Sequence, residues 1–139
     1  TPSGPRVLEF NCRFGDPETQ VILPQFQGNL ARLMLSCAEG RLDESQVAWS
    51  GQAHTTVVLV SEGYPGSYRK GFPISGLGQS GLVFHAGTSL KDVDVVTSGG
   101  RVLAVVGSGA DLRDSTRKAY ELVESVSFQG AGFRKDIGS

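Results

Sequence analysis

The sequence predicts an α+β chain with a helical first part, residues 1–50, and a β-rich unit carrying one packed helix, residues 51–139. Three observations predict it. Helix caps and stops cluster before Trp49. Short β-branched runs separated by glycine turns follow from His54 to Val106. One long amphipathic stretch, residues 111–126, comes after them.

Taken in order, residues 7–14 read as a strand. Leu8, Phe10, Cys12 and Phe14 fall on one face and are apolar; Glu9, Asn11 and Arg13 fall on the other and are polar. Cys12 is thereby expected in a core. Residues 15–18 form a turn into a helix, with Asp16 as its cap and Pro17 as its first residue. Pro24 should end or kink that helix. A second helix starts at Asn29 as cap, presents Leu30, Leu33, Met34 and Cys37, and stops at Gly40. Residues 54–60 are a strand and 63–66 a turn. Residues 71–74, 82–85 and 93–97 read as short strands. Ser98-Gly99-Gly100 signals a hairpin whose return strand is 101–106. Helix 111–126 turns Leu112, Ala119, Leu122, Val123 and Val126 inward, and Phe128 and Phe133 flank a last glycine-rich strand or turn. Trp49 and Tyr64 are read as packing residues at the junction and the turn.

Composition bounds the function. The chain has 139 residues, 39% hydrophobic and 19% charged, with a net charge of −1. That balance gives no broad electrostatic case for nucleic acid or an anionic membrane. No apolar run approaches the roughly 20 residues of a membrane span, and no signal peptide is read at the start. Cys12 and Cys37 form neither a disulfide framework nor a metal motif, so a reducing compartment is the default. The first residues, Thr-Pro-Ser-Gly, lead straight into the apolar segment, which is expected of a piece of a longer protein.

The chemistry is concentrated in residues 9–18. Glu9 and Asn11, two apart on one strand face, offer two oxygens to one hard cation. Mg²⁺ commonly takes only one or two protein ligands and completes its shell with phosphate and water. Arg13, next on that face, carries a planar fork for phosphate or carboxylate oxygens. Metal beside guanidinium is what phosphoryl transfer requires. By spacing alone, the same Glu-x-Asn-x-Arg pattern also describes the solvated face of a half-exposed strand. His85, at a strand end, is read as a structural histidine and His54 as a surface residue. Arg101 is open between a phosphate contact and a salt bridge. Arg134, Lys135 and Asp136 read as a charged cluster paired at a domain interface, with substrate contact the alternative.

The full string Val7-Leu8-Glu9-Phe10-Asn11-Cys12-Arg13-Phe14-Gly15-Asp16-Pro17-Glu18-Thr19-Gln20 resembles the signature of the glycinamide ribonucleotide synthetase family, in the ATP-grasp superfamily. Four further blocks resemble it in the same order: Gly63-Tyr64-Pro65-Gly66-Ser67-Tyr68 with Lys70-Gly71, Phe84-His85-Ala86-Gly87-Thr88, Val96-Thr97-Ser98-Gly99-Gly100-Arg101-Val102-Leu103, and Phe133-Arg134-Lys135-Asp136-Ile137-Gly138. The resemblance implies that residues 1–50 end an ATP-grasp domain. It implies that 51–139 form the family's C-terminal domain, of barrel-sandwich or rudiment-hybrid type. It further implies an ATP-dependent ligase of purine biosynthesis, cytoplasmic, which joins 5-phosphoribosylamine and glycine through a glycyl phosphate. Glu9 and Asn11 would hold Mg²⁺ (or Mn²⁺), and Arg13 would act on the transferring phosphate. Gly15, Asp16 and Glu18 would border the substrate, with capping the preferred role for Asp16. The partners would be ATP, glycine, 5-phosphoribosylamine and the missing N-terminal part, whose lid and base pocket are not in this sequence. The isolated chain is accordingly expected to be inactive, and its parent to be monofunctional or fused to other purine-pathway enzymes.

Three rivals are weighed against this. A freestanding β-rich binding module predicts that residues 51–139 fold alone. A lipoyl- or biotinyl-type carrier needs a lysine at a hairpin tip, which Ser98-Gly99-Gly100 lacks. Self-pairing through the unpaired edge of residues 7–14 would give a homodimer.

Overall fold

The structure, a computed structural model, describes residues 1–78 and 81–139. In chain order come α1 (Thr19–Ile22), α2 (Leu30–Ala38), β1 (Ala53–Ser61), β2 (Leu82–His85), β3 (Thr88–Lys91), β4 (Asp94–Thr97), β5 (Arg101–Gly109), α3 (Leu112–Ser125) and β6 (Ala131–Gly132). Short 3₁₀ turns follow α1 at Leu23–Gln25 and precede β1 at Glu44–Gln46.

The centre is an antiparallel sheet in the order β2-β5-β1-β6. β1 alternates, with Thr55, Val57, Leu59 and Ser61 buried and the residues between them half-buried. Its register on β5 sets Val57 against Val105 and Leu59 against Leu103. This face packs on α3 through Ala119, Leu122 and Val123, with Val126 and Phe128 closing the core. Asp111 caps α3 by accepting from the Asp114 amide. A hydroxyl cluster pins one end of the interface: Thr55 Oγ1 lies 2.9 Å from Ser115 Oγ and 3.1 Å from Thr116 Oγ1. Buried hydroxyls find partners because an unpaired one would lose its hydration without compensation.

The opposite face of β1, Thr56, Val58 and Val60, is half-buried, and α1 packs over this sheet against β1 and β5. Pro24 marks the change from α1 to the 3₁₀ turn, as expected. Asn29 caps α2 by accepting from the Arg32 amide. The helix ends in a Schellman pattern at Gly40 (φ 65°), with the Gly40 amide on the Cys37 carbonyl and the Arg41 amide on Ser36. Phe26 and Trp49 meet edge-to-face, 5.9 Å between centroids.

Several sequence expectations are corrected. Residues 7–14 form no strand; Leu8 is 97% and Phe10 90% exposed, and Cys12 is exposed rather than in a core. Among the described residues none pairs with this segment, and a strand without a ladder partner gains neither hydrogen bonds nor burial. Residues 71–74 run beside β4 without becoming a strand: the Gly71 and Ile74 amides donate to Thr97 and Val95, but Pro73, at the bridge, has no N–H to extend the ladder. Ser98-Gly99-Gly100 is not a hairpin. It carries the chain from β4, which pairs with β3, into β5 of the larger sheet. The true two-residue turn is Asp92-Val93, between the paired Lys91 and Asp94. Leu112 sits in the first turn of α3, beyond the sheet, and is 56% exposed.

Candidate functional site

Residues 9–18 are not a strand, yet they converge. Glu9, Asn11, Arg13, Gly15, Asp16, Pro17 and Glu18 line one open cleft of about 300 Å³, and Arg101 completes its wall. The six residues picked out by chemistry in the sequence therefore meet in one place. Arg101, which the sequence left between two roles, is brought in from β5. The only signal that could have drawn attention to it is a charged residue directly after two glycines at a strand start.

The turn is built locally. The Gly15 amide donates to Glu18 Oε2 at 3.2 Å, while the Gly15 carbonyl accepts from the Thr19 amide at 2.9 Å and the Thr19 hydroxyl at 2.6 Å. A Cβ on Gly15 would run into the Glu18 carboxylate and lie 3.1 Å from Glu18 Cβ. Glycine is therefore what lets the backbone fold against that carboxylate.

Asp16 is not a helix cap, and Pro17 is not a first helical residue. The helix starts at Thr19, with Glu18 in the cap position and no side-chain cap bond. The Asp16 carboxylate is taken instead by Arg101 Nη2 at 2.9 Å and by Gln20 Nε2 at 3.0 Å. A charged, forked donor outcompetes the neutral amides of a four-residue helix.

The remaining groups face the cleft with free capacity. Among the described residues, the side chains of Glu9 and Asn11 have no hydrogen-bond partner within the chain. Arg13 Nη1 donates to the neighbouring Phe14 carbonyl at 3.1 Å, which leaves its other N–H groups open. The donor set of Glu9 and Asn11 is oxygen only, which fits a hard divalent cation better than a soft one. No group of three His, Cys, Asp or Glu side chains suited to a metal occurs among the described residues. Two protein oxygens are what a Mg²⁺ shared with phosphates uses.

His85 lies outside this cleft, with Nδ1 3.0 Å from the Thr88 hydroxyl at the turn between β2 and β3. His54 Nδ1 is 3.4 Å from the Gln52 carbonyl. Arg134 pairs with Asp136, both well exposed. Among the described residues, no helix is long and apolar enough to cross a membrane.

Comparison with known proteins places these features. Residues 54–139 match the family described as Phosphoribosylglycinamide synthetase, C domain. A phosphoribosylamine–glycine ligase of Halalkalibacterium halodurans is 48% identical over 142 residues, covering 100% of this chain and 33% of that protein. The trifunctional purine biosynthetic protein adenosine-3 of Gallus gallus is 50% identical over 143 residues, 99% of this chain and 14% of that protein. The crystal structure of phosphoribosylamine–glycine ligase from Thermotoga maritima superposes with a TM-score of 0.80 at 40% identity, covering 94% of this chain and 32% of that one. The chain thus spans about a third of the length of its single-function relatives.

Proposed function

The chain belongs to the phosphoribosylglycinamide synthetase family, and on that premise we propose that it is the C-terminal third of a phosphoribosylamine–glycine ligase. The ligase consumes ATP, glycine and 5-phosphoribosylamine in purine biosynthesis, in the cytoplasm. Residues 1–50 end the ATP-grasp domain and residues 51–139 are the C-terminal domain. The observation that carries this reading is the convergence of Glu9, Asn11, Arg13 and the Gly15–Glu18 turn on one cleft.

Glycine's carboxylate takes the γ-phosphoryl group of ATP, which releases ADP. The amine of the ribosylamine then attacks the acyl carbon, the amide forms, and phosphate leaves. A bound divalent cation supplies charge neutralisation at the phosphate oxygens. In this chain, Glu9 and Asn11 would provide the oxygens that hold it. Arg13 offers N–H donors to the phosphoryl oxygens whose charge grows in the transition state. Gly15 keeps the turn flat against Glu18, so that backbone borders the substrate. No protein nucleophile is required, so no cysteine or histidine carries a step.

The lid and the base pocket belong to the part of the ligase outside this chain. The test is product formation. The intact protein should form ligated product only with ATP, glycine and ribosylamine together, and the 139-residue chain alone should form none. Turnover by the isolated chain, or none by the intact protein, contradicts the reading.

A further inference from the structure

We propose that Arg101 is the positioning residue through which the β-rich unit sets the geometry of the cleft. This rests on the reading of that cleft given above. Arg101 makes a two-point clamp on one residue: Nη1 donates to the Asp16 carbonyl oxygen at 3.0 Å and Nη2 to Asp16 Oδ2 at 2.9 Å. Backbone and side chain of the turn are gripped together, which a single point charge cannot do. Among the described residues this is also the one ion pair between the first 50 residues and the rest.

The sheet is built to aim this side chain. From Ala53 to Leu59, β1 pairs with β5 in one register, Ala53 with Gly109 through Leu59 with Leu103. Continued, that register would set Arg101 opposite Ser61, on the face that packs into the core. A register shift between Leu59 and Val60 sets it opposite Val60 instead. Val60 belongs to the half-buried face that looks toward α1. The extra residue, Val102, is fully buried. Re-aiming a side chain at a site is a common use of a bulge.

The approach to Arg101 is equally fixed. The Gly87 amide donates to the Arg101 carbonyl at 2.8 Å, and the Gly87 carbonyl accepts from the Ser98 and Gly99 amides at 2.7 and 3.1 Å. The Ser61 amide and hydroxyl donate to the carbonyls of Gly100 and Gly99 at 2.8 and 2.9 Å. Gly100 lies so close to the Tyr64 and Tyr68 rings that a Cβ there would push them aside. The blocks around Tyr64, Gly87 and Gly99 thus all brace the residue that clamps Asp16.

Two readouts test this. In the 139-residue chain, Arg101→Met should speed amide exchange at Thr19 and Gln20 about three- to fivefold, as expected for loss of a partly exposed pair. Amides of β1 and α3 should be unchanged. Unchanged exchange at Thr19 and Gln20 overturns the proposal whatever the intact enzyme does. In the intact ligase, Arg101→Met and Asp16→Asn should each lower kcat/KM roughly ten- to a hundredfold, the scale of a misplaced catalytic loop. Arg101→Lys should recover only part of the loss. The double variant should fall no more than about twofold below Arg101→Met alone, because that change already removes both bonds to Asp16. Additive losses would mean that Arg101 touches the ligand itself, and would overturn a positioning role. An intact ligase without ligation would sink the functional reading and leave the exchange result to decide this one.

Discussion

Replacing Gly87 by alanine should destabilise the chain far more than one methyl usually does. A Cβ built there lies 2.5 Å from both the Arg101 carbonyl oxygen and Gly99 Cα, and 2.8 Å from the Gly99 amide nitrogen. All three neighbours are backbone, so no rotamer change relieves the clash. Two chain segments must part by about 1 Å to reach ordinary contact. Overpacking of this kind costs about 1–3 kcal/mol. The same movement strains the three hydrogen bonds that join Gly87 to Ser98, Gly99 and Arg101, each contributing about 1 kcal/mol. Alanine stiffens the unfolded chain and returns about 0.4–1 kcal/mol. The net loss is about 2–3 kcal/mol, or a fall in Tm of roughly 6–15 °C for a domain of this size. Thermal unfolding followed by circular dichroism measures it. Gly78→Ala, with nothing among the described residues within 4 Å, is the control and should change stability by less than about 0.5 kcal/mol. A Gly87→Ala chain melting within about 2 °C of the parent would refute the close approach and the bracing of Arg101 that depends on it.

Other outcomes follow from the same geometry. Thr55→Val keeps the shape but removes the hydroxyl shared by Ser115 and Thr116; urea unfolding should show a loss of about 1 kcal/mol. Asp114 is held down to about 2 from 3.8, first by Lys118 and then by Arg117. Its folded-state acidity is thus greater than its unfolded-state acidity, so its contribution is full above pH 3.8 and lost as pH falls through about 2. The urea midpoint should therefore drop across that window in the parent and drop less in Asp114→Asn; identical pH profiles would contradict the pairing.

The parts of the fold legible in the sequence were those settled by local patterning. The β-branched run 54–60 gave β1, the cap Asn29 gave α2, the amphipathic stretch 111–126 gave α3, and Gly40 gave the stop of α2, each of which the structure contains. What was misread depended on partners distant in sequence. The alternation in residues 7–14 is strand-like, but a strand exists only with a neighbour to pair with. Ser98-Gly99-Gly100 looks like a hairpin because glycine permits one; that it instead crosses between sheets is decided by Gly87, which packs against it from the preceding block. Asp16 has the chemistry of a cap, and Arg101, 85 positions away, takes it. In the cleft, the oxygen donors Glu9 and Asn11 and the fork of Arg13 could be picked out because two-residue spacing and side-chain chemistry are local. Arg101 was read as open between a phosphate contact and a salt bridge, and the salt bridge forms; its partner was not legible, because its direction is set by a one-residue register shift that no local pattern announces.

A ligase cleft assembled around Glu9 and Asn11 is tested most directly by Glu9→Gln in the intact enzyme, with product formation followed against Mg²⁺ concentration. The substitution keeps size, removes the charge and turns one ligating oxygen into an N–H donor. Turnover should fall at least about a hundredfold, with more Mg²⁺ needed for half-maximal rate and an unchanged circular dichroism spectrum. A Glu9→Gln enzyme that turns over within twofold of the parent at the same Mg²⁺ requirement would contradict the account.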